Sequence, residues 1–355
     1  MGAMETISAF KRRMHPRFTL VEILMVFVVF AILAAMLIPS LAKTKDKAKF
    51  TRWFAFNRAC ANDPSLIVNF NFQEGAGNTL TNICAGADVE NYKAYEYDGH
   101  LMKNNSASSD TTNNFQWLPS GGRWSKFGYK KALQFNGADT YILVSGTAGL
   151  DFTPMDEFTI LCWVKFDKMD MGDCPFSKSL WGTRNDAAAQ FDLYADPYAG
   201  TFGQGSFDVD VFETCGTWPA TEVDFAKAGW VHLVLRYSYT SLNAAKEPKG
   251  LITAFVNGKP LGAFIDATNE NPGTASATGW KACSGSGMNV PLIIGAAGCY
   301  RKYWSPGTYD PKKAGVFGNE LMLNFFFKGA MDEFLLYKRA LPDKEIYGHY
   351  EMGRE

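Results

Sequence analysis

The sequence predicts a membrane-spanning α-helix followed by a large all-β sandwich. Three observations lead there. Phe18 to Leu41 is 24 residues of almost unbroken apolar sequence. After Pro64 the hydrophobic pattern turns to short alternating runs rich in Val, Ile, Phe, Tyr and Trp. No long amphipathic helical pattern separates those runs, which argues against a parallel α/β sheet.

At 355 residues the chain is long enough for one large domain or two ordinary ones, and 47% hydrophobic content supplies a core. The net charge of −1 hides a segregation: residues 1–65 carry +6 and the remainder −7. An acidic main domain excludes nucleic acid as its partner, since that needs a basic face. The basic residues flank the apolar run, as at membrane surfaces. Seven cysteines show no zinc-like spacing.

The apolar run, as a helix of about 36 Å, can cross a bilayer. It contains Glu22, and a carboxylate at mid-membrane costs roughly 2.5–3.5 kcal/mol. A cleaved secretory signal, with Lys11–Arg17 as its basic region and a site after Ala42, would have an apolar core longer than the usual span of roughly 7–15 residues. Neither that reading nor a plain signal anchor accounts for Glu22. Pro39 lacks the N–H that would bond Ala35, so a kink or loosening is expected there. Beyond it, Lys43, Lys45, Lys47 and Lys49 with Ala42 and Ala48 read as a solvated helical stretch reaching about Cys60. Asn62-Asp63-Pro64 then ends the helix.

The stretch Phe18-Thr19-Leu20-Val21-Glu22, behind a basic leader and ahead of a long apolar run, resembles the N-terminal methylation motif of type IV pilins and type II secretion pseudopilins. The resemblance covers about forty residues. It implies a leader over residues 1–17 and a membrane-spanning and amphipathic helix over 18–63. It further implies cleavage by an inner-membrane prepilin peptidase between Arg17 and Phe18, and methylation of the new Phe18 amine. Arg17 stands where the family usually has Gly. Glu22 of one subunit would neutralise the Phe18 ammonium of its neighbour and so fix register between subunits, because a charge pair in low dielectric is strong and an unpaired one is penalised. The implied location is the inner membrane of a bacterium, single pass, with the C-terminal domain periplasmic or extracellular.

Within the large domain, Leu66–Phe72 alternates Val68, Phe70 and Phe72 against Asn69 and Asn71, which reads as a half-buried strand. "ALQFNG", "FTILCWVKF", "WVHLVLRYSY", "ITAFVNGKP", "PLIIG" and "AMDEFLLYKRAL" are further strands, and Asn257-Gly258 marks a tight hairpin. "NNSASSDTTNN" (104–114) and "ATNENPGTASATG" (267–279) are polar and turn-rich, and read as surface insertions within 82–128 and 267–290. The succession "VNFNFQEGAG", "ALQFNGADTYILV", "FTILCWVKF", "ITAFVNGKPLGAF", "PLIIG" and "GAMDEFLLYKRALPDKEIYGHYE" resembles the laminin-G-like, concanavalin A-like jelly roll over residues 66–352. Its closing helix is expected just after Leu341, with Pro342 in the first turn.

Polysaccharide hydrolases of that superfamily carry a Glu-x-Asp-x-x-Glu strand. Here Asp208, Asp210 and Glu213 in "DVDVFE" match it in part. Retaining hydrolysis needs carboxyls about 5–5.5 Å apart, yet "FDVDVF" is also ordinary strand alternation, so the chain is expected not to be an enzyme. The resemblance also implies a structural Ca2+, with Asp332 and the backbone at Gly137 as the candidate ligands. Oxygen donors suit that ion, and hydrogen bonding of Asp332 to backbone amides is the competing role. Trp181, Trp218 and Trp304 lie in loop-like stretches and are candidates for stacking on sugars. His232, within a strand, reads as structural. Cys162 shares a strand face with Phe158, Ile160, Val164 and Phe166 and should be an unpaired core thiol. Cys283 with Cys299, Cys174 with Cys215, and Cys60 with Cys84 are the expected disulfides, although spacing leaves the connectivity open.

The expected function is a pilin-like or pseudopilin-like membrane protein displaying a carbohydrate- or protein-binding head. Its partners would be other such subunits, the prepilin peptidase, the inner membrane and a polysaccharide. The alternatives are a membrane-tethered polysaccharide hydrolase of the glucanase or agarase kind and a purely structural filament subunit.

Overall fold

The computed structural model describes residues 19–84, 97–103, 115–118, 123–124, 126–144, 149–169, 173–180, 188–196, 206–211, 214–218, 223–225, 227–242, 246, 248–261, 265–266, 291–300 and 321–354. A long apolar helix precedes an antiparallel β-sandwich. The chain divides into two compact units, Met1–Ala48 and Lys49–Glu355.

Helix α1 runs from Leu20 to Cys60, with Pro39 inside it. It opens on a feature that the sequence displays but that the spacing of apolar residues conceals. The Thr19 N–H and hydroxyl both donate to Glu22 Oε2, at 2.8 and 2.9 Å, and the Glu22 N–H donates to Thr19 Oγ1 at 3.2 Å. This is a reciprocal capping box, which satisfies donors that a helix start leaves unpaired. Glu22 therefore has a local role within its own chain. From Leu20 to Leu41 every apolar side chain is exposed within the chain.

Nineteen strands are assigned among the described residues. The first six are β1 (Leu66–Phe70), β2 (Thr79–Leu80), β3 (Gly99–Lys103), β4 (Gln116–Leu118), β5 (Ala132–Asn136) and β6 (Thr140–Val144). Next come β7 (Phe158–Phe166), β8 (Phe176–Leu180), β9 (Ala188–Asp196), β10 (Ser206–Val211), β11 (Thr214–Trp218), β12 (Val231–Leu242) and β13 (Pro248–Val256). The last are β14 (Lys259–Pro260), β15 (Ile265–Asp266), β16 (Leu292–Ile294), β17 (Ala297–Tyr300), β18 (Leu321–Asn324) and β19 (Lys328–Tyr337), and helix α2 (Asp343–Gly353) follows. One sheet has the order β14-β13-β12-β7-β19-β5-β4, with β1 also on β19 and β15 on β13. A second has the order β11-β10-β9-β8-β16-β6-β3-β2, and β17 and β18 form a two-stranded sheet of their own. The closing strand thus lies beside the opening one, as in a jelly roll.

The facing sides of the sheets form the main core. Phe158, Ile160, Cys162, Val164 and Phe166 all point into it, as the alternation of β7 requires, and Cys162 is a free thiol. The first sheet is covered on its other face too. Leu161, Val234, Phe255 and Leu335 pack there with Leu341 and Ile346 of the α2 region. Central strands covered on both faces lose the polar half of their alternation.

Some sequence expectations differ from the structure here. The helical stretch before Cys60 is not wholly solvated: Trp53 and Asn57 are buried, at 1% and 2% exposure, because they pack within the Lys49–Glu355 unit. That compact unit takes in the last turns of α1 from Lys49 onward. Strand β1 is fully buried instead of half-buried, and its asparagine is hydrogen-bonded: Asn57 Nδ2 donates to Asn69 Oδ1 at 3.3 Å, and the Asn69 N–H donates to Asn82 Oδ1 at 2.9 Å. The stretch 82–128 supplies β3 and β4, while 104–114 and 267–290 lie outside the described residues. Pro342 takes the N-cap position of α2, not the first turn, and its carbonyl accepts from the N–H groups of Glu345 and Ile346.

Candidate functional site

The closing strand carries a bulge. Asp332 pairs with Trp163 and Phe334 with Cys162, so Glu333 is an extra residue, and its φ of 60° lies in the left-handed region. Successive strand residues normally face opposite ways. Here Asp332 and Glu333 both meet the Arg123 guanidinium. Arg123 Nε donates to Asp332 Oδ2 at 2.8 Å, Arg123 Nη2 donates to Glu333, and Lys130 Nζ donates to Asp332 Oδ1 at 2.5 Å. Lys130 also bonds the Asn71 carbonyl at 3.1 Å. Both cationic side chains and Asp332 are fully buried. Burial pushes Asp332 above the usual carboxylate range and Lys130 below the usual ammonium range, while their opposite charges resist both shifts.

Aromatic rings close this quartet. Lys130 Nζ lies 3.6 Å from the Trp53 ring centre, and the Arg123 guanidinium 4.5 Å from that of Trp163. Trp163 stacks at 5.9 Å with Tyr350 of α2 and lies 5.0 Å from His232. On the same side Tyr337 Oη lies 3.3 Å from His349 Nε2, and Phe56 meets the His349 ring edge-on. Burial lowers His349 to about 4 and His232 well below its ordinary value. With two cations and two carboxylates the quartet is balanced, and it ties α1 residues to β19.

This arrangement does not suit calcium. Both Asp332 oxygens already accept from cations of the chain itself. Gly137 stands in the β5–β6 turn at φ 71°, next to Lys328, four residues along β19 from Asp332, or about 13 Å at strand rise. The expected Asp332–Gly137 pair is therefore not assembled. Among the described residues no group of three or more His, Cys, Asp or Glu has metal-binding geometry.

The carboxylate motif falls on β10. Val209 and Val211 belong to the core, and Asp208 and Asp210 occupy the alternate positions, opposite Tyr194 and Asp192 of β9. Glu213 is outside the described residues, as are Trp181, Trp304 and Cys283. Trp218 is placed on β11, opposite Phe207. Cys299 is on β17, opposite Met322, and Cys215 on β11, opposite Asp210. Two expected disulfides are absent: Cys174 is a buried free thiol, as is Cys84, and Cys60 is free as well. Burial holds the Cys60 thiol up at about 11 and that of Cys84 at about 12. Both pack in the apolar layer under α2.

The sequence reading missed an open groove of about 550 Å³ beside the end of α1. Phe54, Ala55, Arg58, Ala59, Ala61, Asn62, Asn71 and Ile83 line it. Its signal was local, since Phe54, Ala55, Arg58 and Ala59 recur at helical spacing.

No family model matches the chain, and no curated protein does. Several solved structures are similar in fold. Domain 4 of AbnA, an extracellular GH43 arabinanase from Geobacillus stearothermophilus solved with arabinotriose, is 15% identical at TM-score 0.44, covering 81% of this chain and 98% of that one. The binding domain of Paraclostridial Mosquitocidal Protein 1 is 13% identical at TM-score 0.42, covering 81% of this chain and 52% of that one. Trypanosoma rangeli sialidase in complex with sialic acid is 14% identical at TM-score 0.43, covering 82% of this chain and 34% of that one. These likenesses are of fold alone.

Proposed function

We propose that this chain is a membrane-anchored, pilin-like or pseudopilin-like subunit whose jelly-roll head binds carbohydrate or protein. The observation that carries the reading is α1 itself: an apolar surface exposed all round from Leu20 to Leu41, opened by Thr19 and Glu22, on the same chain as a sandwich domain. A helix apolar on every face needs lipid or other helices around it. Cleavage before Phe18 by a prepilin peptidase would leave the capping box intact, with the new amine one residue ahead of it. Glu22 Oε2 serves Thr19, and Oε1 is then the oxygen that would meet a neighbour's Phe18 ammonium in the inner membrane. The head would stand in the periplasm or outside the cell.

The enzyme reading rests on Asp208, Asp210 and Glu213 of the partial carboxylate motif. Two assays separate these readings. Crosslinking of the Glu22→Ala variant in membranes should show normal membrane retention with loss of subunit–subunit products; unchanged products would remove Glu22 from assembly. Reducing-sugar release from β-glucan or agar by the full-length chain in detergent should be nil, and release abolished by Asp210→Asn would make the head a hydrolase.

A further inference from the structure

The geometry points to Lys130 and Asp332 as a modification site, where the two side chains condense into an amide, Lys130 Nζ to Asp332 Cγ, with release of one water and with Glu333 relaying the proton. The inference is independent of the pilin-like reading of α1. Lys130 Nζ already donates to Asp332 Oδ1 at 2.5 Å, and Glu333 Oε1 lies 3.6 Å from the same nitrogen. The Lys130 and Asp332 side chains are fully buried, and the Trp53 ring covers the ammonium at 3.6 Å. An amine and a carboxyl held this close by the fold react as if at very high concentration. As ions they do not condense, because an ammonium has no lone pair and a carboxylate resists a nucleophile. A single proton transfer along the existing hydrogen bond turns both into the reactive neutral forms. Burial favours that transfer, since it pushes Lys130 below the usual ammonium range and Asp332 above the usual carboxylate range.

Each step has a group in place. In the neutral pair the proton sits on Asp332 Oδ1. The Lys130 Nζ lone pair attacks Cγ, and the carbonyl electrons move onto Oδ2. Arg123 Nε donates to Oδ2 at 2.8 Å and stabilises that oxyanion. Glu333 takes a proton from the nitrogen and returns it to the Oδ1 hydroxyl. The Cγ–Oδ1 bond then breaks, water leaves, Oδ2 becomes the amide oxygen, and Glu333 is a carboxylate again.

The product fits the site at least as well as the reactants. Its N–H keeps the Asn71 carbonyl, which Lys130 Nζ meets at 3.1 Å, and its oxygen keeps the Arg123 Nε donor. Arg123 and Glu333 remain as a balanced pair. One cation and one carboxylate vanish from the buried site, and their desolvation cost goes with them. Beside Arg123 and Glu333 the neutral pair is the minor form, so newly folded chains hold the ionic quartet and the amide follows folding. The bond ties the chain two residues ahead of β5 to the middle of β19, across 202 positions of sequence, so the denatured chain keeps a closed loop.

The test is tryptic mapping of the full-length chain, purified in detergent and held for a day at neutral pH. Residues 127–131 should appear joined to residues 329–338, uncleaved after Lys130 and one water lighter than the two peptides together. On a reducing denaturing gel the closed loop should migrate ahead of the Lys130→Arg variant, whose guanidinium keeps the charge but is a poor nucleophile. Glu333→Gln, with an unchanged circular dichroism spectrum, should form the joined peptide more slowly by about a hundredfold or more, the usual contribution of a proton relay. Linear peptides alone, cleaved after Lys130, would overturn the amide. A joined peptide that forms as fast in Glu333→Gln would overturn the relay while upholding the amide.

Discussion

Helix α1 is one element with two kinds of surface. Over Leu20–Leu41 its side chains are apolar and exposed on every side; over Lys49–Cys60 it is charged and aromatic, with Trp53 and Asn57 buried. The first stretch satisfies its backbone internally and leaves its side chains to be covered by something outside the chain, which is what a bilayer provides. The second buries one stripe, Trp53 and Asn57 at i and i+4, against the domain that follows. The contrast teaches that a helix can change its solvent partway along without a break in hydrogen bonding, and that the boundary of the head lies within the helix.

The largest effect should come from cutting at that boundary. A fragment beginning at Leu66 lacks Trp53 and Asn57, exposing Lys130 and the Asn69 side chain, so it should express insolubly or melt far below a fragment beginning at Lys49. Circular dichroism melts of the two fragments decide it, and equal midpoints would return the boundary to residue 66. Trp53→Ala in the longer fragment should cost about 3–5 kcal/mol, the usual range for a buried tryptophan.

Next comes the quartet. Asp332→Asn would leave Lys130 and Arg123 facing Glu333 alone, at a cost of about 3–5 kcal/mol, whereas the double variant Lys130→Met, Asp332→Leu should recover much of it. Urea unfolding of the three proteins measures this. No rescue by the double variant would mean that Asp332 is held by Arg123 more than by Lys130.

A smaller effect follows from pH. Burial holds His349 at about 4, below its unfolded value of about 6.5. The folded state therefore binds fewer protons than the unfolded one between those values. Stability is present above about pH 6.5 and declines as pH falls toward 4, by up to about 3 kcal/mol for this group. His232 is lowered in the same direction and extends the loss to lower pH. His349→Gln should flatten part of that slope between pH 6.5 and 4 in urea titrations; an unchanged slope would place the acid sensitivity elsewhere.

Much of the architecture was legible. The span, the helix end near Cys60, the main strands and the inward face of β7 followed from period and turn residues alone. Thr19-x-x-Glu22 has the spacing of a capping box, a local role that the cost of a carboxylate in lipid does not itself reveal. Trp53 and Asn57 were hidden among the lysines and arginines around them, although their spacing is helical. The quartet was not legible. It depends on a bulge set by the register of β19 against β7, and on Arg123 and Lys130, which lie about two hundred residues away in a turn-rich stretch with no local pattern. Short strands such as β2, β15 and β17 have too few residues to show a period, and a pairing between distant cysteines has no local signature at all.

The apolar half of α1 is the part on which the proposed role depends, and its mature N-terminus tests that role most directly. Intact-mass and N-terminal peptide analysis of the protein from membranes should find a chain that begins at Phe18 with an N-methylated amine. A chain beginning at Lys43 would instead make Leu20–Leu41 part of a removed signal, and an uncleaved leader ahead of Phe18 would make it a plain anchor; either result would contradict the pilin-like account.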